Sequence, residues 1–321
     1  MHGKGLIVAA AFSMAVGEAL AAAPYPVRPV RVIVPLAPGG GSDIVARIAA
    51  AALGEAWSQT IVVDNRPGAG SVVGTSIAAK AAPDGHTLLV SSSSLAISPA
   101  LYKDLPYDLR RDFMPVSLLA SQPSVLAVHA SVQAATVREL QALAKSQPGR
   151  LAYGSAGAGS ATHLGSELFR LAAGIELLHI PYKSAGLATG ALLSGEAQVL
   201  LTNTASVLPH LKGGKVRALG VTSLKRIALA PDIPTLAESG LPKFEYLTWY
   251  GMVVPAGTPK TVVDVLYRDT EKALRQPAFL DRFTQQGLDV LVTAPAAFGR
   301  FLESELQRWD TVVKKAGIKV D

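Results

Sequence analysis

A chain of 321 residues with 49% hydrophobic side chains has the length and apolar content for a large globular core, and two domains are the prior at this size. It contains no cysteine, which excludes disulfides, thiolate catalysis, a lipid-anchored cysteine and a thiolate zinc finger. The net charge is +6 and the pI about 9.5, yet the Lys and Arg residues are scattered, so the charge reads as a diffuse field favouring encounters with small anions rather than a nucleic-acid footprint.

The first residues have the pattern of an export signal. Lys4 supplies a positive start, Gly5 to Val16 a short apolar run, and Ala21-Ala22-Ala23 a small-residue cleavage site before Pro24. The run is too short to span a membrane comfortably, no stop-transfer signal follows it, and no other segment is apolar enough to span. Removing residues 1–23 takes away Lys4 and Glu18, leaving 29 basic and 23 acidic residues and a charge still of +6. A soluble, periplasmic protein cleaved near Ala23 is expected.

In the mature chain, Val30 to Leu36 is a β-branched run that reads as a buried parallel strand. Pro38, Gly39, Gly40 and Gly41 break it, Ser42 stands as a helix N-cap with Asp43 in the first turn, and Ile44, Val45, Ile48, Ala49, Ala52 and Leu53 give one apolar helical face. This strand, glycine loop and helix N-terminus is either an ordinary βα turn or a site for a small anion. Ile61–Val63 is a second strand, Ser71 to Lys80 a helix, and Thr87–Val90 a third strand running into Ser91, Ser92, Ser93 and Ser94. Strands alternating with helices imply βαβ units and a parallel sheet, in which strand C-terminal ends bind ligands.

The alternation continues with Val125–Val128 as a strand and a helix from Thr136, where Thr136 and Glu139 fit a capping box. Leu151–Tyr153 feeds Gly154 to Ser160, a second Gly/Ser loop, and a helix follows from Ala161 to Ala173. Two such half-sites facing each other would make a cleft. Leu177–Ile180 is a strand ending at Tyr182-Lys183-Ser184, a helix covers Leu187 to Leu193, and Val199–Leu201 ends at Thr202-Asn203-Thr204. Val216–Val221 and Tyr246–Val254 are extended, and the tail is helical over 262–274, 278–286 and 296–316.

The chemistry that would make an enzyme is not assembled in the sequence. There is no phosphate loop with its lysine, no G-x-S-x-G elbow and no dinucleotide fingerprint. His163 and Glu167 lie four apart on a helix but make only two metal ligands. No catalytic residue, metal or cofactor is assigned. His163 is expected to donate into the cleft or to cap its helix. Tyr182 and Lys183 fit a cleft or a surface role, and Trp249 and Tyr250 fit core better than ligand wall.

The stretches YPVRPVRVIVPLAPGGGSDIVAR, VVDNRPGAGSVVG, SPALYKDLPYD, YGSAGAGSATHLGSELF, HIPYKSA, VRALGVTS, PDIPTLAESG and WYGMVVPAGTP follow one another in order. Together they resemble the Bug family, the extracytoplasmic receptors of tripartite tricarboxylate transporters, over about residues 25–317. The resemblance implies an α/β, type II periplasmic-binding-protein fold, with two lobes joined by crossing strands and a ligand between them. Lobe one would comprise 24–120 plus 225–321 and lobe two 121–224, with crossings near Pro115 to Val128 and between Val221 and Val254. It implies a monomer that binds a small organic carboxylate through loop amides, hydroxyls and bridging waters, with transporter membrane subunits as partners and no nucleic acid. A receptor for a sensory system without transport is the alternative.

Carried over by motif, the binding residues are Gly39, Gly40, Gly41, Ser42, Asp43, Ser92 and Ser93 in lobe one. Lobe two supplies Ser155, Gly157, Gly159, Ser160, Thr162, His163, Tyr182, Thr202 and Asn203. Asp43 is at odds with an anion site, and three roles stay open: holding the loop, binding water, or meeting an amino or hydroxyl group. Three residues depart from the family pattern: Ser184 stands where glycine is usual, and Gly190 and Gln198 where Asp is frequent. Fewer acids beside the cleft would favour a more anionic, less amine-like ligand.

Overall fold

The computed structural model describes residues 25–318, so the export segment and Ala23 lie outside the described residues. The run VRVIV forms β1 (Val30–Val34), buried along nearly its whole length as a central strand should be. It leads to α1 (Gly41–Trp57), β2 (Ile61–Asn65), α2 (Val72–Ala79), β3 (Thr87–Ser92), α3 (Ser94–Leu101) and the single turn α4 (Leu109–Asp112). Next comes β4 (Phe113–His129), followed by α5 (Val137–Ser146), β5 (Ala152–Ser155), α6 (Ala161–Ala173), β6 (Leu178–Pro181), α7 (Ala185–Ser194), β7 (Val199–Asn203), α8 (Thr204–Leu211) and β8 (Val216–Val221). The chain closes with β9 (Leu247–Pro255), α9 (Lys260–Leu274), α10 (Pro277–Gln285), β10 (Asp289–Val290) and α11 (Pro295–Ala316).

The strands run in the order β2-β1-β3-β9-β4-β7-β5-β6, with β8 and β10 also pairing β4. The expected parallel pairing holds between β1 and its neighbours β2 and β3, and between β5 and its neighbours β6 and β7. It fails at the centre, where β9 and β4 are antiparallel to every strand they touch. The 17-residue β4 explains this. Its residues 113–123 pair with β9, and residues 124–129 with β7 and β8, so one strand belongs to two half-sheets. Pro123, which has no N–H to give a ladder, sits where β4 changes partners.

A clip of buried polar groups ties this changeover to the return of the chain. The Thr222 hydroxyl accepts from the Ser124 amide at 2.8 Å and donates to the Tyr246 carbonyl, while the Tyr246 amide donates to Thr222 O at 3.0 Å. The Tyr246 phenol then donates to the Ala161 carbonyl at the start of α6, at 2.6 Å. Separate apolar clusters fill each half, around Val32, Val45, Leu53 and Phe283 on one side and Val125, Leu192, Leu200 and Val207 on the other. A third cluster, with Leu95, Phe169, Tyr246, Trp249, Phe298 and Trp309, runs beneath both.

Within that third cluster the buried carboxylate of Glu305 on α11 accepts both indole N–H groups, from Trp249 at 2.8 Å and Trp309 at 3.0 Å. Replacing it by an apolar residue leaves two buried donors without an acceptor. Glu305→Leu is therefore expected to cost about 2–4 kcal/mol, lowering Tm by roughly 5–10 °C. Differential scanning calorimetry of the variant checks this, and an unchanged Tm would contradict the assigned role.

Candidate ligand cleft

The C-terminal ends of β1, β3, β5, β6 and β7 feed helices whose first turns line one cavity of ≈ 300 Å³ between the two half-sheets. On the first wall, α1 does not begin at Ser42 as expected. Gly40 is the N-cap, with φ −81° and ψ 167°, and the first helical hydrogen bond runs from Ile44 N to Gly40 O at 3.0 Å. The amides of Gly41, Ser42 and Asp43 precede that bond and have no partner within the helix. Gly39 adopts φ +80°, a glycine conformation, and Gly41 is fixed by close approach: a Cβ there would fall on the Tyr250 phenol.

Asp43 is buried, and its Oδ2 accepts from the Gly39 amide and from Arg47 Nε, both at 2.9 Å. Burial raises its pKa, but Arg47 and the Gly39 amide outweigh burial and hold the carboxyl below its usual range. Of the three roles open from sequence, the structure shows loop-holding. Asp43 straps the glycine loop and is not among the residues lining the cavity. Ser42 does line it, is only 1% exposed, and its hydroxyl has no protein partner. Ser92 and Ser94 also line it, joined through their hydroxyls at 3.0 Å, whereas Ser93 is buried behind them.

On the second wall Ser160 is the N-cap of α6, its hydroxyl accepting from His163 N at 3.2 Å and donating to Gly157 O at 2.7 Å. Thr162 holds the loop from the other side, its hydroxyl accepting from Ala156 N at 2.8 Å. Ser160 and Thr162 line the cavity; Ser155, Gly157, Gly159 and His163 do not. His163 neither donates into the cleft nor caps α6. Its Nδ1 accepts from the Gly159 amide at 3.0 Å, so its neutral form carries the proton on Nε2. The ring stacks on His179 at 4.0 Å, and His179 reaches the Ser155 hydroxyl at 2.7 Å. Glu167 is taken by the Tyr153 phenol at 2.6 Å and by Arg170, so His163 and Glu167 form no metal pair. Among the described residues no group of three metal-ligating side chains occurs.

Two further helix ends complete the wall. Asn203 lines the cavity as the N-cap residue of α8, while Thr202 is buried and Tyr182 does not reach the lining. The sequence pattern predicts α7 from Leu187, but the helix starts two residues earlier, at Ala185. Ser184 caps it, accepting from Leu187 N at 3.3 Å, and Lys183, Ser184, Ala185 and Gly186 all line the cavity. A serine directly before an apolar helical run was the available signal. Tyr250 is both buried and lining, whereas Trp249 belongs to the core. Of the three departures, only Ser184 touches the cavity. Gly190 is exposed on α7, and Gln198 braces the sheet by accepting from Ala152 N at 2.8 Å and donating to Gly195 O at 3.0 Å. Among the lining residues Lys183 alone is basic, and none is an Asp, Glu or His.

Two half-sheets sharing a long strand, with helix N-termini converging on the cavity between them, are the architecture of a two-lobed periplasmic binding protein. The chain belongs to the tripartite tricarboxylate transporter family receptors, whose family model matches residues 45–318. It is similar to protein BugT of Bordetella pertussis, with 38% identity over 298 residues, 92% of this chain and 91% of that protein. Among solved structures it is similar to the periplasmic binding protein BugD, with 36% identity, a TM-score of 0.83, and coverage of 92% of this chain and 99% of that one. R. palustris Rpa4515 with adipate gives 32% identity and a TM-score of 0.86 (92% and 99% covered). MatC from Rhodopseudomonas palustris with bound malate gives 32% and 0.82 (90% and 100% covered). The chain is thus a solute-binding receptor, not an enzyme.

The imidazole pair behind the second wall gives the protein a pH dependence. Burial, and then the neighbouring His179, push His163 down to about 4, and burial also lowers His179; Glu167 and Tyr153 are the other titratable groups against them. Below pH 6.5 the unfolded chain takes up a proton that native His163 refuses until about pH 4, so stability falls as pH drops through this window. The loss should reach about 3 kcal/mol. His163→Asn keeps an acceptor for Gly159 and removes the titration. Urea unfolding at pH 7 and pH 4.5 should show a smaller loss for this variant than for the parent; equal losses would contradict the assignment.

Proposed function

We propose that this receptor captures a small organic carboxylate between its lobes and delivers it to the membrane subunits of a tripartite tricarboxylate transporter. The observation that carries the reading is the convergence of five helix N-termini, from both walls, on a cavity whose lining holds one basic side chain, Lys183, and no acidic one. The adipate and malate held by the two structural relatives support the same ligand class. The export signal ending near Ala23 and the family of periplasmic receptors support a periplasmic site of action.

The carboxylate accepts from the Gly41 and Ser42 amides of α1 on one wall and from the Ala161 and Thr162 amides of α6 on the other. Both sets precede the first helical bond of their helix, Ile44 N to Gly40 O and Leu164 N to Ser160 O. Only a closed cleft offers both, and this difference in contacts drives closure. We place lobe one at 24–120 plus 225–321 and lobe two at 121–224; the change of partners along β4 and the Thr222 clip support hinges near these boundaries.

Gly40→Asp is the test. Gly40 has an ordinary φ of −81° and an added Cβ meets nothing closer than 3.6 Å, while Asp is a favoured N-cap, so the fold tolerates the change. Its charge, however, occupies the anion loop. Carboxylates that raise the parent's Tm in a concentration-dependent way should leave the variant's Tm unmoved. Parent-like shifts in a folded variant would overturn the site.

A further inference from the structure

We propose that Tyr102 is a positioning residue for ligand capture: with Gly70 beside it, it meets the Ala158-Gly159 loop outside the ligand cavity and holds the two walls together, setting affinity without touching the ligand. The proposal rests on the reading above that the walls close as lobes, and names a contact that keeps them closed. Gly70 lies in the turn between β2 and α2, and Tyr102 directly follows α3, both in the first half of the molecule; Ala158 and Gly159 lie between β5 and α6 in the second. A Cβ at Gly70 would stand 3.1 Å from the Tyr102 hydroxyl and 3.5 Å from the Ala158 carbonyl oxygen. One at Gly159 would stand 3.0 Å from Leu101 Cδ1 and 3.7 Å from the Tyr102 hydroxyl. Two bare glycines thus let the halves meet at close range. None of these five residues lines the cavity.

The turn that carries Gly70 is strained. Gly68, Ala69, Gly70 and Ser71 have φ of 146°, 44°, 60° and 96°, a run of positive values that alanine and serine seldom adopt. Strain of this kind persists only where the surroundings impose it, and it gathers at ligand clamps and switch regions. Here α3 imposes it. The buried Ser71 hydroxyl meets that of Ser98 at 3.4 Å, and Ser98 donates to the Ser94 carbonyl at 2.9 Å. Ser94, at the first turn of the same helix, lines the cavity. One short helix thus carries both the cavity wall and the contact outside it.

The facing loop also has two sides. Ala156, Ser160, Ala161 and Thr162 line the cavity, while Ala158 and Gly159 meet the Gly70 turn and Tyr102. The loop is held through the Ala156 and Gly159 amides and the Gly157 carbonyl, so the exposed Ala158 carbonyl accepts no bond among the described residues. Burial raises the pKa of Tyr102, which keeps its phenol a donor throughout the neutral range. Closure brings this donor and that acceptor together beside Gly70. A contact made only in the closed state raises the closed population whatever ligand lies inside. It therefore slows dissociation, and by the same factor for different ligands.

Small-angle scattering and stopped-flow binding of adipate and malate, the acids held by the two structural relatives, test this. Tyr102→Phe loses only the hydroxyl and should keep the parent's Tm. Its ligand-free radius of gyration should exceed the parent's, and each acid that binds should weaken by a common ~3- to 10-fold factor, through faster dissociation with association unchanged. Gly70→Asp adds a side chain tolerated at positive φ and sets a charge against the Ala158 carbonyl. That charge would itself repel an anion, so scattering alone is read, and the radius should rise at least as far. An unchanged radius in both variants, or a loss in Tyr102→Phe carried by slower association, overturns the proposal. If neither acid binds the parent, the failure falls on the carboxylate reading, and the scattering still decides the contact.

Discussion

Backbone amides that no helix can satisfy are the constraint on which this molecule depends. Every α-helix leaves its first N–H groups without intrahelical partners, and burying them unpaired costs free energy. Here five helices start at one cavity, and at α1, α6 and α7 the chain resolves the problem in the same way. Side chains or loop carbonyls fix the turn, and the leading amides of Gly41, Ser42, Ala161, Thr162, Ala185 and Gly186, all cavity-lining residues, stand ahead of the first helical bond. On the proposed function the pattern is a low-charge anion trap. It needs few ionised side chains because aligned peptide dipoles supply the positive potential.

What surrounds those amides serves to hold them still. Asp43 straps the loop through Gly39 and is itself balanced by Arg47. Tyr250 presses on the bare Cα of Gly41, while Ser160, Thr162 and His163 hold the second loop through Gly157, Ala156 and Gly159. A loop fixed in advance loses little entropy when a ligand arrives. The Tyr246 phenol links this preorganised wall to the crossing region, because it bonds the Ala161 carbonyl while its backbone is clipped to Thr222. On the proposed mechanism, hinge motion and the α6 terminus are therefore mechanically joined.

Much of this was legible in the sequence because it is local. Strand, glycine loop and helix follow from β-branched residues, glycines and a 3.6-residue apolar period, and Gly39 to Ser42, Ser92, Ser160, Thr162 and Asn203 do line the cavity. What was not legible depends on neighbours distant in sequence or on broken rules. The sequence does not mark helices α3 and α8, because each contains a proline, Pro99 and Pro209, that ordinarily argues against a helix. The double allegiance of β4 has no local signature, since the period of a strand is the same whichever half-sheet it joins. Asp43, Ser155 and His163 belong to the right loops, but only tertiary contacts reveal that they brace rather than line the cleft.

The most direct measurement is a crystal structure of the mature receptor grown with adipate. The account predicts a carboxylate within hydrogen-bond distance of the Gly41 and Ser42 amides and of the Ala161 and Thr162 amides, with the lobes closed over it. A ligand bound outside this cavity, or held within it while those amides face only solvent, would contradict the central claim.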